Sequence, residues 1–195
     1  MSVGRPRRFD LDQALDKAMV VFWKHGYEGA TLPELTEAMG INRPSLYAAF
    51  GNKEELFRRV VERYVSGPAS YIQKALAQPI ARAAIQQLLD SSIELLTSPG
   101  NPGGCLVLQG ALVCGATAEP VRQELVAVRA AGLELIHERL KRARREGELP
   151  KDVDCADLAR FVTAVVHGLS IQAASGATRK QLLRVAEVAM RAWPN

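Results

Sequence analysis

The stretch Thr31–Lys53, TLPELTEAMGINRPSLYAAFGNK, decides the fold. Thr31 with Glu34 three residues later is a capping-box pair, in which each side chain satisfies an orphan N–H at a helix start, and Pro33 suits the first turn. The helix so opened begins at Leu32. Leu32, Leu35, Ala38 and Met39 share one face, and Gly40 supplies the left-handed residue that stops it. Ile41 is the buried residue of the turn. Asn42 caps a second helix, with Pro44 in its first turn, that ends near Phe50, and Leu46 and Phe50 point inward together. Arg43, Ser45, Tyr47 and Ala48 are left facing out. A guanidinium, a hydroxyl and a phenol on a short capped helix suit a duplex groove and its flanking phosphates, which reads as a helix-turn-helix. The competing reading is a small three-helix module that binds protein.

On the N-terminal side, Asp10 caps a helix from about Leu11 to His25 that Gly26 ends, with Ala14, Leu15, Ala18, Val21 and Phe22 as its core stripe. Residues 1–8 carry Arg5, Arg7 and Arg8 without an acid and form a flexible basic arm. On the other side, Asn52 and Glu55 repeat the capping pair and open a helix at Lys53 bearing Leu56, Val60 and Tyr64. Ser66, Gly67 and Pro68 interrupt it, dividing the chain into a DNA-binding unit, residues 1–65, and a larger unit, residues 66–195.

The chain has 195 residues, a net charge of +4 and 48% hydrophobic residues, enough for a substantial core. The charge excess is not concentrated in the N-terminal unit, where residues 1–65 hold ten Lys/Arg against nine Asp/Glu. It is local: from Gly40 to Lys53 there are two cations and no anion. No apolar run long enough for a membrane span and no targeting segment occurs, which predicts a cytoplasmic protein without a membrane partner. Three cysteines, Cys105, Cys114 and Cys155, without CxxC spacing indicate neither a disulfide framework nor a zinc site. The three histidines have no helical i, i+4 mate, so no metal and no cofactor are expected.

Beyond Pro68 only helical periodicity is present. Ala69–Ala77 precedes Pro79; Ala84, Ile85, Leu88, Leu89 and Ile93 mark the next helix; Leu106–Val113 is apolar nearly all round and belongs at the centre. Pro120 opens a long helix to about Glu146. Lys141, Arg142, Arg144 and Arg145 crowd its end, where cations complement the dipole on a solvated face. A helix from Cys155 to about Ala174 and another from Arg179 to about Trp193 carry more apolar surface than one chain can cover. Leu158, Val162, Val165, Leu169, Leu182, Ala186, Ala189, Met190 and Trp193 are accordingly expected to form an isologous homodimer interface.

The segments HGYEGAT and LTEAMGINRPSLYAAFGNKEELF resemble the N-terminal domain of TetR-family (TetR/AcrR-type) transcriptional regulators over roughly residues 9 to 64. The tail from Gly147 to Pro194 resembles a subgroup of them. The resemblance implies an all-α protein of about nine helices: an N-terminal three-helix helix-turn-helix domain, then a C-terminal helical effector-binding and dimerisation domain. It implies a repressor that binds a palindromic operator in double-stranded DNA as a homodimer and is released by a small hydrophobic effector. Carried over, Thr31 touches phosphate, Arg43 and Ser45 face base edges, Tyr47 binds backbone and Lys53 adds a phosphate contact; Asn42, Pro44 and Ala48 complete the DNA-facing set. Ala49 departs from the family's usual His or Tyr, and Pro44 from a frequent Gly.

The effector is expected among Tyr71, Leu89, Leu106, Gln109, Val113, His137, Phe161 and His167; for Gln109, His137 and His167 ordinary packing or solvent contact is the competing role. Cys105 follows Pro102-Gly103-Gly104 at a helix start, where the dipole favours an anion, which suggests a thiol-based redox or electrophile sensor. A small buried hydrophobe is the alternative. An enzyme of small hydrophobic substrates finds no support, since no GxSxG, phosphate loop, HExxH or carboxylate pair at helical spacing is seen in the C-terminal half. A helical adaptor that no longer binds DNA gains a little from Ala49.

Overall fold

A computed structural model describes residues 9–112 and 118–194, with the backbone alone at 110–112. The expectations placed on Arg5, Arg7, Arg8, Val113 and Cys114 lie outside the described residues. All regular structure within them is helical: α1 (Leu11–Gly29), α2 (Leu32–Met39), α3 (Arg43–Phe50), α4 (Lys53–Ser66), a 3-10 turn (Pro68–Ser70), α5 (Tyr71–Leu76), α6 (Ala81–Thr97), α7 (Leu106–Leu112), α8 (Glu119–Arg145), α9 (Cys155–Ala174) and α10 (Arg179–Arg191).

The N-terminal helices form where local chemistry closes their ends. Asp10 accepts from the N–H groups of Asp12 and Gln13 at the start of α1. Gly26 breaks that helix with φ 70° and ψ 179°, but a further turn through Gly29 follows the kink, so α1 does not simply end at His25. Gly40 stops α2 in the left-handed region at φ 69°. Phe22, Tyr27 and Phe57 interlock behind these helices, with Phe22 and Tyr27 each edge-on to Phe57 at 5.0 and 5.2 Å.

Among the described residues, two apolar clusters form the core. The first joins α1–α4 through Ala18, Phe22, Leu35, Leu46, Phe50 and Leu56, and it also takes in Leu106 and Val107 of α7 and Val121 and Leu125 of α8. The second lies among α5, α6, the later part of α8, α9 and α10. Between helices of this second region sits Arg139, whose side chain is only 3% exposed and pairs with Glu148. Its Nη2 donates to the carbonyls of Gln78 and Pro79 at 3.2 and 3.0 Å, and the Glu148 carboxylate accepts from Ala81 N. Ile80 offers α6 no side-chain cap, so a glutamate from beyond α8 supplies it.

The expected dimer stripe is corrected. Val162, Leu169, Leu182, Ala186, Met190 and Trp193 are buried inside their own chain, and Leu158, Val165 and Ala189 are half-buried. A helix gives its most continuous apolar stripe to its own core, which here is the second cluster. The large apolar side chains of these two helices left most exposed are Phe161 at 43%, Ile171 at 51% and Val188 at 61%.

Candidate nucleic-acid interface

The exposed edge of α3 is assembled by its two ends. Asn42 Oδ1 accepts from Ser45 N at 2.9 Å, which fixes the first turn and leaves the Asn42 amide donors outward. Leu46 and Phe50 anchor the inner side at 0% and 2% exposure. Asn42, Arg43, Pro44, Tyr47 and Ala48 are exposed on the other side and Ser45 is half-buried. No acid stands in the first turn of α3, so the positive end of its dipole is open.

The helices on either side of α3 are closed by their own caps. Thr31 and Glu34 form a complete capping box at the start of α2, and Asn52 and Glu55 do so at the start of α4. Lys53 Nζ lies 4.7 Å from the Tyr27 ring centroid and 3.5 Å from the Glu28 carbonyl. Burial lowers the ammonium's pKa there, against the opposing pull of Glu28 and Glu34. Arg59, which the sequence reading missed, donates to the Ala49 carbonyl at 3.3 Å and covers the Phe50 ring at 5.7 Å, placing a cation at the C-terminal end of α3. Arg63 ties α4 to α1 by a fork onto Asp16 at 2.9 Å and a bond to Asp12 at 3.0 Å.

A capped, glycine-turned helix pair presenting an acid-free face, backed by a larger helical body, is the arrangement of a known group of DNA-binding proteins. Residues 14–60 match bacterial regulatory proteins of the tetR family, and residues 79–190 match the tetracyclin repressor-like C-terminal domain. The chain belongs to the TetR family. It is 34% identical to the HTH-type transcriptional repressor ComR of Escherichia coli (strain K12), over 99% of this chain and 93% of that protein. With the repressor BdcR of the same strain it shares 33% identity over 95% of this chain and 90% of that protein. Among solved structures, a cysteine mutant of the TetR-family regulator CifR, complexed with 26-bp double-strand operator DNA, has 46% identity and a TM-score of 0.94, covering 97% of this chain and all of that one. TetR-family proteins are DNA-binding transcriptional regulators rather than enzymes.

Among the described residues, the seven expected effector residues that they include do not line one cavity of the TetR-family C-terminal body. Leu89 and Phe161 border a small apolar crevice with Ile85, Leu158 and Trp193. Gln109 donates to the Gly103 carbonyl at 3.0 Å beside an open groove with Val20 and Lys24. A side chain on Gly104, at φ +86°, would collide with that same amide. His137 faces Glu134 at 3.5 Å on α8. Glu134 and Glu138, four apart, are a carboxylate pair the sequence reading passed over; with His137 their ligand atoms lie within 4.8 Å, and Glu138 is ion-paired to Lys141 at 2.5 Å.

Tyr71 lies within electrostatic reach of Cys105, which Leu106 follows in the chain; His167 is within reach of Arg129 instead. The Tyr64 hydroxyl donates to Cys105 Sγ at 3.5 Å. Burial pushes the Tyr71 phenol up to about 12, opposed by its bond to Ser92, and drives Tyr64 far above the phenol range. Arg129 is within electrostatic reach of Cys105 and donates to the Val107 carbonyl at 3.4 Å. Burial, then the charge of Arg129, depresses His167. Tyr64, Ser92 and Arg129 were not foreseen. Cys155 is buried at the start of α9, with Val153 O 4.0 Å from its sulfur. No helix among the described residues is long and apolar enough to cross a membrane.

Proposed function

We propose that this TetR-family regulator is a cytoplasmic repressor that binds a palindromic operator as a homodimer and releases it when a small hydrophobic effector enters the C-terminal domain. The division at residue 66 separates the DNA-binding unit from the effector-binding and dimerisation unit. The observation that carries the reading is the outward edge of α3, with Arg43, Tyr47 and an uncompensated helix start between two capped helices. Support comes from the operator complex of CifR, a protein 46% identical to this one, and from the repressors ComR and BdcR. Arg43 and Ser45 read base edges, Thr31, Tyr47 and Lys53 hold the backbone, and Asn42, Pro44 and Ala48 line the groove; the arm of Arg5, Arg7 and Arg8 adds charge. The effector sits by Tyr71, Leu106 and His167, near Tyr64 and Arg129, and it shifts the dimer to a conformer whose α3 helices are wrongly spaced.

The test is binding of a selected palindromic duplex by fluorescence anisotropy. Arg43→Ala is expected to cost about 1–3 kcal/mol and to relax specificity, and Tyr47→Ala to weaken all sequences. Full affinity in both variants would overturn the assignment.

One observation favours a second reading, thiol sensing at Cys105. Its sulfur is bonded to Tyr64 of α4, so a group added to it displaces a contact with the DNA-binding unit. Release of DNA by oxidants or alkylating agents, lost in Cys105→Ser, supports this reading; an unchanged response in that variant excludes it.

A further inference from the structure

Thr31 has two donors to offer a phosphate, its backbone N–H and its hydroxyl, and both already go to one carboxylate oxygen. Thr31 N lies 2.9 Å and Thr31 Oγ1 2.7 Å from Glu34 Oε2. The hydroxyl oxygen in turn accepts from Glu34 N at 3.4 Å. A threonine hydroxyl carries a single proton, so the side chain has nothing left to donate while Glu34 stays in place. The carboxylate sits over the first turn of α2, where a helix favours negative charge, with Lys24 and His25 in electrostatic reach. Its bonds to Thr31 hold the carboxyl below the ordinary glutamate range, so it is ionised at neutral pH.

Helix α4 repeats the arrangement, with Asn52 N donating to Glu55 Oε2 at 2.9 Å. Helix α3 does not: Asn42 caps it and its first turn holds no acid. The recognition helix therefore starts open, between two helices each closed by its own glutamate.

We propose that Glu34 is an internal competitor of the DNA backbone, holding the donors of Thr31 in the free protein and leaving them when a phosphate arrives. The proposal rests on the reading of Thr31 as a backbone contact. Binding then exchanges a carboxylate for a phosphate in each half-site, and the displaced anion remains next to a like charge. Glu34 thereby sets affinity below what the donors of α2 would give, without touching a base. It acts equally on operator and non-operator DNA, which keeps non-specific occupancy low.

The experiment compares Glu34→Gln, Thr31→Val and Glu94→Gln homodimers with the parent protein, on a duplex selected from a random library and on a scrambled duplex. Glutamine at this position still accepts from Thr31 N, so the cap is kept while the charge at the helix start is lost, and all variants are compared at equal folded fraction. A like charge roughly 6 Å from a phosphate in water is worth about threefold, so Glu34→Gln is expected to bind both duplexes about tenfold tighter per dimer at low salt. The gain shrinks as salt rises from about 50 to about 200 mM. Glu94, an exposed acid on α6, controls for net charge, and its variant is expected to bind as the parent does. Thr31→Val, compared at equal folded fraction, is expected to bind more weakly. If Thr31→Val weakens binding while Glu34→Gln gains nothing, the competitor role falls and the interface stands. If both match the parent, the interface reading falls with it. A gain in Glu94→Gln equal to that in Glu34→Gln would reduce the effect to net charge and overturn the proposal.

Discussion

The indole N–H of Trp23 donates to the carbonyl of Gly104 at 2.9 Å, a buried bond between residues 81 apart in the chain. The same indole stands edge-on to Tyr64 at 4.9 Å, and Tyr64 reaches Cys105, the neighbour of Gly104. Helices α1 and α4 of the DNA-binding unit are thus fastened to two consecutive residues at the start of α7. Trp23→Phe keeps an aromatic ring but leaves a buried carbonyl unpaired, and a loss of about 1–3 kcal/mol is expected in urea unfolding. Parent-like stability would mean that the bond contributes nothing.

Arg139 and Glu148 lead to a second expectation. Arg139→Ala strands the Glu148 carboxylate and the carbonyls of Gln78 and Pro79 in a part-buried setting. Breaking a buried pair from one side typically costs about 3–5 kcal/mol, whereas Arg139→Met with Glu148→Leu strands no charge and is expected to lose less, even though Ala81 N and the two carbonyls lose their partners. Chemical denaturation of the two variants separates the cases, and equal stability of Arg139→Ala and the parent would refute the role given to the pair.

The proposed homodimer is expected to form through the exposed apolar side chains of α9 and α10. Ile171→Glu and Val188→Glu are expected to give monomers in light scattering while leaving each fold intact, because both side chains are more than half exposed within one chain. Leu182→Ala, at 0% exposure, is expected instead to destabilise the fold by about 2–5 kcal/mol. Dimers that survive both glutamate substitutions would rule these side chains out.

The depressed pKa of His167 has a pH signature. Burial, and then the charge of Arg129, keep the folded imidazole neutral where an unfolded one, near pH 6.5, has already bound a proton. In that window the unfolded chain holds more protons, so stability is complete above about pH 6.5 and falls as the pH drops towards the folded value. The melting temperature is expected to decline from about pH 7.5 to about pH 5.5, and His167→Gln to flatten that decline. An unaltered pH profile in the variant would show that another group is responsible.

What the sequence disclosed was local. Thr31, Gly40, Asn42 and Asn52 act within a few residues of themselves, and every helix boundary of the DNA-binding unit follows from such partners, except the turn that continues beyond Gly26. Trp23 and Arg139 act on residues far away in the chain, and nothing in their neighbourhoods announces Gly104 or the carbonyls of Gln78 and Pro79. Periodicity shows that α9 and α10 carry too wide an apolar arc but not which part of it the second cluster takes, and Leu182 and Met190 go to that cluster. The effector set scattered for the same reason. Tyr71 reaches Cys105 from α5, and His167 reaches Arg129 from α9, while Leu89, Gln109 and His137 have other neighbours.

The first apolar cluster, which draws Leu106, Val107, Val121 and Leu125 in among α1–α4, bears on how this regulator can be rebuilt. A chimaera spliced at residue 66 onto a foreign effector body would strip those four side chains from behind the operator-reading unit and leave a bare apolar face on the graft. A transplant that also carries α7 and the opening turns of α8 takes its own backing with it. The smallest portable cassette is therefore discontinuous in sequence, and new specificity for an existing sensor is more readily obtained by replacing the outward side chains of α3 than by exchanging whole segments.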